Sequence, residues 1–314
     1  MNTRKASNNL SRRELLSLAL GAGAYLALPV NLLYAQQKGI KKPQAKPYSN
    51  QPQQVENLEQ KLLKHITRLR QDKKLTPDEK IALSSYDFTS GKKLVAINEE
   101  AKMQAASMIK PFIALAYFHK VARGELKYDR TTKKEMEQMI RRSNNYSTNL
   151  IIKRIGGPSA VQNILKNNYG VIFRNTEVVQ YIPEGGVEYK NKASARDYSR
   201  FLYAMWQGNL PYSEELKRLM SLRKRNRIIS DVMGIPDDTL AYDKTGSTAR
   251  LCGDMGIIEA KGKDSKTYPY TVIAVIEKAN RTEAYRRWIK ARGDVIREIS
   301  SIVYKHMKTT YKLI

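Results

Sequence analysis

The feature that most limits the fold is a change of periodicity along the chain, from strand to helix and back to strand. Lys80-Ile-Ala-Leu-Ser-Ser-Tyr-Asp87 and Lys93-Leu-Val-Ala-Ile-Asn98 flank Thr89-Ser-Gly91. That is the pattern of a β-hairpin with glycine in its turn. Strand patterns return only at Leu240–Lys244, Gly253–Glu259 and Tyr270–Ile276. Between them the chain reads as helix: Met108–Val121, residues 131–142, Ser147–Ile155 (stopped by Gly156-Gly157-Pro158), 158–167, Ala195–Gln207 and Ser213–Leu222. A loop rich in polar residues, Gly and Pro runs from Asn168 to Ala193. Outside the strands, apolar residues at 55, 58, 62, 63, 66 and 69 have helical spacing, and a long helix is expected over Thr282–Lys308. Strands split in this way must be reunited in one sheet. The expected class is α/β, an antiparallel sheet flanked by N- and C-terminal helices, with an all-helical subdomain over about 107–230 inserted.

The folded domain is expected over residues 56–314. Before it, residues 1–35 read as an export leader. A polar, basic start ends in Ser11-Arg12-Arg13-Glu14-Leu15-Leu16 and an apolar run follows to about Leu33. Paired arginines ahead of two leucines resemble the twin-arginine signal, so the expected location is exported, in the periplasm or cell envelope. The bland alternative is an uncut anchoring helix, against which Pro29 and Asn31 argue. Residues 36–55, rich in Gln, Lys and Pro, read as a disordered linker.

Cys252 is the only cysteine, which excludes an internal disulfide. His65, His119 and His306 lie too far apart for a metal-ligand motif, and neither metal nor cofactor is expected. The net charge is +26. Outside the cytoplasm its partners would be anionic cell-envelope polymers rather than nucleic acid, against the plainer reading of a solvated basic surface. The chain is expected to act as a monomer.

Three short motifs carry chemistry. Ser-x-x-Lys occurs at Ser90, Ser107 and Ser221, but only Ser107 opens an apolar helix. There Lys110 lies on the same helix face, so its amine can reach the hydroxyl, and apolar surroundings should depress its pKa. Ser143-Asn-Asn145 falls at a break between two helices. Its first two residues could equally cap the helix that follows. Lys244-Thr245-Gly246 ends a predicted strand, where a lysine can bind a substrate carboxylate and the next backbone N–H an oxyanion. Arg250 is a second candidate carboxylate clamp, or else a solvated turn arginine.

Together the three motifs resemble the signature of class A β-lactamases and penicillin-binding proteins. The likeness extends to Ile81–Lys110, to the stretch Ser143-Asn-Asn-Tyr-Ser-Thr-Asn-Leu through Pro158, and to Lys192-Ala-Ser-Ala-Arg-Asp197, covering about residues 56–310. The resemblance implies that Ser107 is the acylated nucleophile, Lys110 its base, and Ser143 the proton relay to the leaving nitrogen. Asn145 would hold the substrate amide, with Lys244, Thr245, Gly246 and Ser247 on the carboxylate side. The oxyanion hole would be the backbone N–H groups of Ser107 and Ser247.

Three departures qualify it. Asn144 stands where that family usually has aspartate. Ser107 and Ser143 are only 36 residues apart, so the helical subdomain is trimmed. The family's deacylating glutamate sits in an E-x-x-L-N context, whereas Glu177 is followed by Val-Val-Gln-Tyr; Glu184 is its rival. The leading expectation is an exported serine hydrolase of the β-lactamase type, opening β-lactams through an acyl-serine with Glu177 as its deacylating base. The alternative is a D-alanyl-D-alanine peptidase acting on peptidoglycan stem peptides, which without such a base would be acylated by penicillin and stall. A third reading is an idle cell-wall-binding protein.

Overall fold

The two ends of the chain meet in one sheet. The structure is a computed structural model describing residues 58–183 and 188–314. The expected leader, the linker and Glu184 lie outside the described residues. Seven strands occur among these: β1 (Glu79–Asp87), β2 (Lys92–Ile97), β3 (Met103–Gln104), β4 (Lys192–Ala193), β5 (Leu240–Ser247), β6 (Leu251–Lys261) and β7 (Thr267–Lys278). Five of them form an antiparallel sheet in the order β2-β1-β7-β6-β5. The hairpin is where the sequence puts it, with Gly91 at φ +70° in its turn. Asp87 caps that turn by accepting from the Thr89 N–H and the Ser90 hydroxyl.

Each face of the sheet is covered by its own helices, which is why the central residues of β1 and β7 are buried on both faces rather than alternately. On one face lie α1 (Leu58–Gln71) and α8 (Tyr285–Tyr311). From α1 the residues Leu58, Leu62, Ile66 and Leu69 are buried, the stripe that the sequence spacing predicts. The long helix α8 is pinned by Arg292, whose Nε and Nη2 donate to Glu79 at 2.6 and 2.8 Å, while Trp288 Nε1 donates to the same carboxylate.

The other face carries the helical insert: α2 (Lys110–Ala122), α3 (Arg130–Arg141), α4 (Asn145–Ile155), α5 (Pro158–Tyr169), α6 (Ala195–Trp206) and α7 (Ser213–Ser221). Helix α2 is its axis, buried continuously from Lys110 to His119. Phe112 packs on Phe173, Tyr198 and Phe201 with ring centroids 4.6, 5.3 and 5.0 Å apart. Such a helix is apolar all round because neighbours cover all of it.

Two features differ from the sequence reading. Lys244-Thr-Gly246 lies inside β5, not at its end, because Gly246 pairs across the ladder with Gly253 instead of starting a turn. The two-residue ladder of β3 and β4, too short to leave a periodicity, joins the segment before Ser107 to the far end of the long loop.

Candidate active site

Ser107 is held in a single 3-10 turn, Ala106–Ile109, from which α2 departs. Pro111 falls in the first turn of α2, where its missing N–H costs nothing. Ala106 has φ +45°, a left-handed conformation costing a non-glycine residue on the order of 1 kcal/mol. It persists because its neighbours fix it. Ala105 N–H donates to the Asn191 carbonyl at 2.9 Å, and the Tyr189 hydroxyl donates to the Ala106 carbonyl. Beneath the turn Met108 is fully buried against Gly246 and Gly253. A Cβ on Gly253 would lie 2.7 Å from Met108 Cε, and one on Gly246 3.0 Å from Met108 Cγ. Bare backbone at both positions gives Met108 the room it occupies between the serine turn and β5.

The Lys110 amine gathers the first two motifs. Its Nζ donates to the Ser143 carbonyl at 2.6 Å and to Asn145 Oδ1 at 2.8 Å, and lies 3.2 Å from Ser143 Oγ. Ser143 is the break foreseen between helices, with φ +55°. The capping duty falls to Asn144, whose Oδ1 accepts from Ser147 N–H at 2.8 Å. An aspartate is not needed for that bond, which accounts for the departure at this position. Lys110 is fully buried, and burial, aided by the nearby charge of Lys244, pushes its amine down to about 6. An amine that is neutral near pH 7 can take a proton from a hydroxyl and pass it to a second one within reach.

Lys244 is buried on β5, and burial lowers it to about 8, with Asp243 opposing the shift. It therefore keeps its positive charge at neutral pH. Ser247, at the end of the same strand, is held by a residue that the motifs did not point to. Arg227 Nη2 donates to Ser247 Oγ at 2.8 Å, and its Nη1 donates to the Gly253 carbonyl at 2.9 Å. The basic run from Arg223 to Arg227 reads in sequence as a solvated surface, so the signal was present but not specific. Behind it Asp243 and Asp254 are buried on the same face of β5 and β6. Burial and mutual repulsion raise the Asp254 carboxyl.

Two expected residues are not brought to this cluster. Arg250 is drawn to β7 instead: its Nε donates to the Lys278 carbonyl at 3.2 Å and its Nη2 lies 3.9 Å from Glu277. Glu177 pairs through its backbone with Lys192 and through its carboxylate with Lys102 Nζ at 2.6 Å, both side chains well exposed. No hydrogen bond among the described residues joins Glu177 to Lys110, Ser143 or Asn145.

What the loop does bring near is Ile182. Asn149 lies one helical turn beyond Asn145, so both share a face of α4. Asn149 Oδ1 accepts from Ile182 N–H at 2.8 Å and its Nδ2 donates to the Ile182 carbonyl at 3.0 Å. This two-way clamp fixes the backbone of buried Ile182 on a side chain one turn from the residue that receives the Lys110 amine. Among the described residues no group of three or more His, Cys, Asp or Glu could hold a metal ion.

A β-sheet with this helical insert, and two motifs joined at one amine with the third on β5, point to a family. The beta-lactamase enzyme family matches residues 61–137 and 131–307, and the chain belongs to it. Among solved structures it is similar to PBP-A, including a mutant as its acyl-enzyme complex with penicillin G, at 21% identity and TM-score 0.65, covering 81% of this chain and 97% of that one. It is similar to an ancestral class A beta-lactamase at 19% identity and TM-score 0.62, covering 80% of this chain and 100% of that one. A class A beta-lactamase representative from Bacteroides cellulosilyticus DSM 14838 matches at 17% identity and TM-score 0.64, over 81% and 99%. These likenesses establish the fold, and no curated protein matches the chain.

Proposed function

We propose that the chain is a serine acyl-transferring hydrolase of the penicillin-binding kind, which is acylated by β-lactams and by peptidoglycan stem peptides and releases the β-lactam acyl group slowly. The observation that carries this reading is the buried Ile182, clamped by Asn149 beside the Lys110–Asn145 contact. Hydrolysis of an acyl-serine calls for a water activated by a placed base. At this point the loop offers an alkyl side chain, and the carboxylate of Glu177 is spent on Lys102. Rapid β-lactam turnover, the other reading of the motifs, lacks that group.

The acylation steps take their roles from the family resemblance, and the contacts of Lys110 with Ser143 and Asn145 support them. Neutral Lys110 takes the proton of Ser107 Oγ as the oxygen bonds to the substrate carbonyl carbon. The oxyanion is met by the backbone N–H groups of Ser107 and Ser247. Ser143 Oγ, 3.2 Å from Lys110 Nζ, gives its proton to the leaving nitrogen and is repaid by Lys110 as the C–N bond breaks. Asn145 orients the amide, and Lys244 with Ser247 and Arg227 holds the carboxylate. The twin-arginine pattern of the first 35 residues supports action in the envelope.

The test is intact-protein mass spectrometry after mixing the domain with benzylpenicillin. A lasting adduct of the drug's mass, absent from Ser107→Ala, is expected. An adduct that forms and vanishes within minutes would restore the β-lactamase reading. No adduct at all would overturn penicillin recognition.

A further inference from the structure

The two helices on the far face of the sheet leave between them a groove that the serine chemistry does not use. Helix α1 presents Lys61, Lys64, His65 and Arg68 to it, at the i, i+3, i+4, i+7 spacing of one helix face. Helix α8 contributes Lys305 and His306 from the other side. The groove has a volume of about 1450 Å³. Small-molecule sites run to about 300–1000 Å³, so this one has room for a stretch of polymer. The serine turn opens the helical insert on the opposite face, so a ligand lodged here leaves the cleft free.

The charge of the groove has one sign. No Asp or Glu is among its lining residues. Lys61, Lys64, Arg68 and Lys305 are exposed and make no ion pair among the described residues. Two carboxylates border the groove and both are engaged. Glu298 lies 3.0 Å from His65 Nε2, and Asp87 accepts from the Tyr311 and Ser90 hydroxyls. Burial, with the charge of Lys61 across the groove, holds the His306 imidazole below its usual value against the pull of Asp87. Like charges one turn apart, Lys61 with Lys64 and Lys64 with Arg68, repel each other, and of these only Arg68 gains from the helix C-terminus.

A ladder of cations without counter-charge suits a ligand that brings several negative charges in a row. From Lys61 to Arg68 the stripe is about 10 Å long. Three of its four permanent cations are lysines, compact charges that meet a phosphate singly, whereas paired carboxylate recognition favours guanidinium forks. No aromatic side chain lines the groove for a nucleic-acid base to stack on. We propose that this groove binds a linear polyol phosphate of the cell envelope, holding the enzyme on the polymer with its serine cleft turned away from it. The export pattern of residues 1–35 supports an envelope polymer as the occupant.

The test is fluorescence anisotropy of labelled poly(glycerol phosphate) with the full chain over a salt series, beside poly-L-glutamate and oligothymidylate of equal charge. The polyol phosphate is expected to bind more tightly than either in low salt, with affinity falling steeply as salt is added. Lys61→Ala, Lys64→Ala and Lys305→Ala together should weaken it about tenfold or more and lower the salt slope by about three. Lys305→Gln alone should lower that slope by about one. Lys134→Ala, Lys153→Ala and Lys166→Ala, which remove three exposed charges from the insert, should change the affinity less than about twofold. Melting temperature is checked for each variant. Equal losses in the two triple variants would overturn the groove in favour of a general basic surface. Binding of polyglutamate or oligothymidylate as tight as that of the polyol phosphate would overturn the proposed occupant. No binding in low salt would overturn the inference outright, and none of these outcomes bears on serine acylation.

Discussion

The serine turn has two flanks, and they are built by opposite means. On the α4 side the contacts run between functional groups: the Lys110 amine bonds Ser143 and Asn145 directly. On the loop side side-chain amides bind backbone. Asn149 clamps Ile182, Gln162 Oε1 accepts from Val178 N–H, and Asn191 Oδ1 accepts from the N–H groups of Val179 and Gln180. One flank holds groups that move protons; the other fixes the shape of a chain segment around a hydrocarbon. Forming an acyl-serine draws on the first flank and breaking it would draw on the second. Under the proposed function, the contrast equips the molecule for one half of a hydrolytic cycle.

The contrast can be broken from either side. The largest effect is expected from Lys110→Ala, which removes the base and should slow adduct formation about 10²- to 10⁴-fold in time-resolved mass spectra. Ile182→Glu would place a carboxylate on the silent flank. It is expected to shorten the adduct's lifetime about tenfold or more at some cost in melting temperature, and an unchanged lifetime would show that Ile182 does not stand where water must act.

The pH profile sharpens the first flank alone. Lys110, lowered to about 6, is protonated and inactive below that value, so acylation should fall as pH drops through it. Lys244, lowered to about 8, loses its charge above that value, so capture of the substrate carboxylate should fall as pH rises through it. The acylation rate constant should therefore be bell-shaped, dropping about tenfold per pH unit beyond each limb. The smallest effect belongs to Glu177→Gln. With its carboxylate engaged by Lys102 near the surface, adduct lifetime should change less than about twofold, in keeping with a weak exposed ion pair.

The sequence carried the architecture because periodicity is a local property. The stripe on α1, the hairpin around Gly91 and the apolar run after Ser107 could each be read without the rest of the chain. Of the site, the meeting of the first two motifs at Lys110 was legible from the sequence, since each motif stands at the start of a helix. Glu177, Arg250 and Arg227 were not. Their roles depend on which neighbour captures a long side chain, a contest decided by Lys102, by the Lys278 carbonyl and by Ser247. Asn149 escaped notice for another reason: it binds main chain, which has no letter in a sequence.

The notch formed by Gly246 and Gly253 around Met108 has a consequence for how the site can vary. Two bare backbones on neighbouring strands act as a mould, and the thioether cast in it sets the depth at which Ser107 stands relative to Ser247. A methyl added on either side would press on Met108, and at Gly246 also on Ala106 of the serine turn, without touching Ser107, Lys110 or Ser143. The shape of the site thus depends on three residues, Met108, Gly246 and Gly253, that carry no catalytic group.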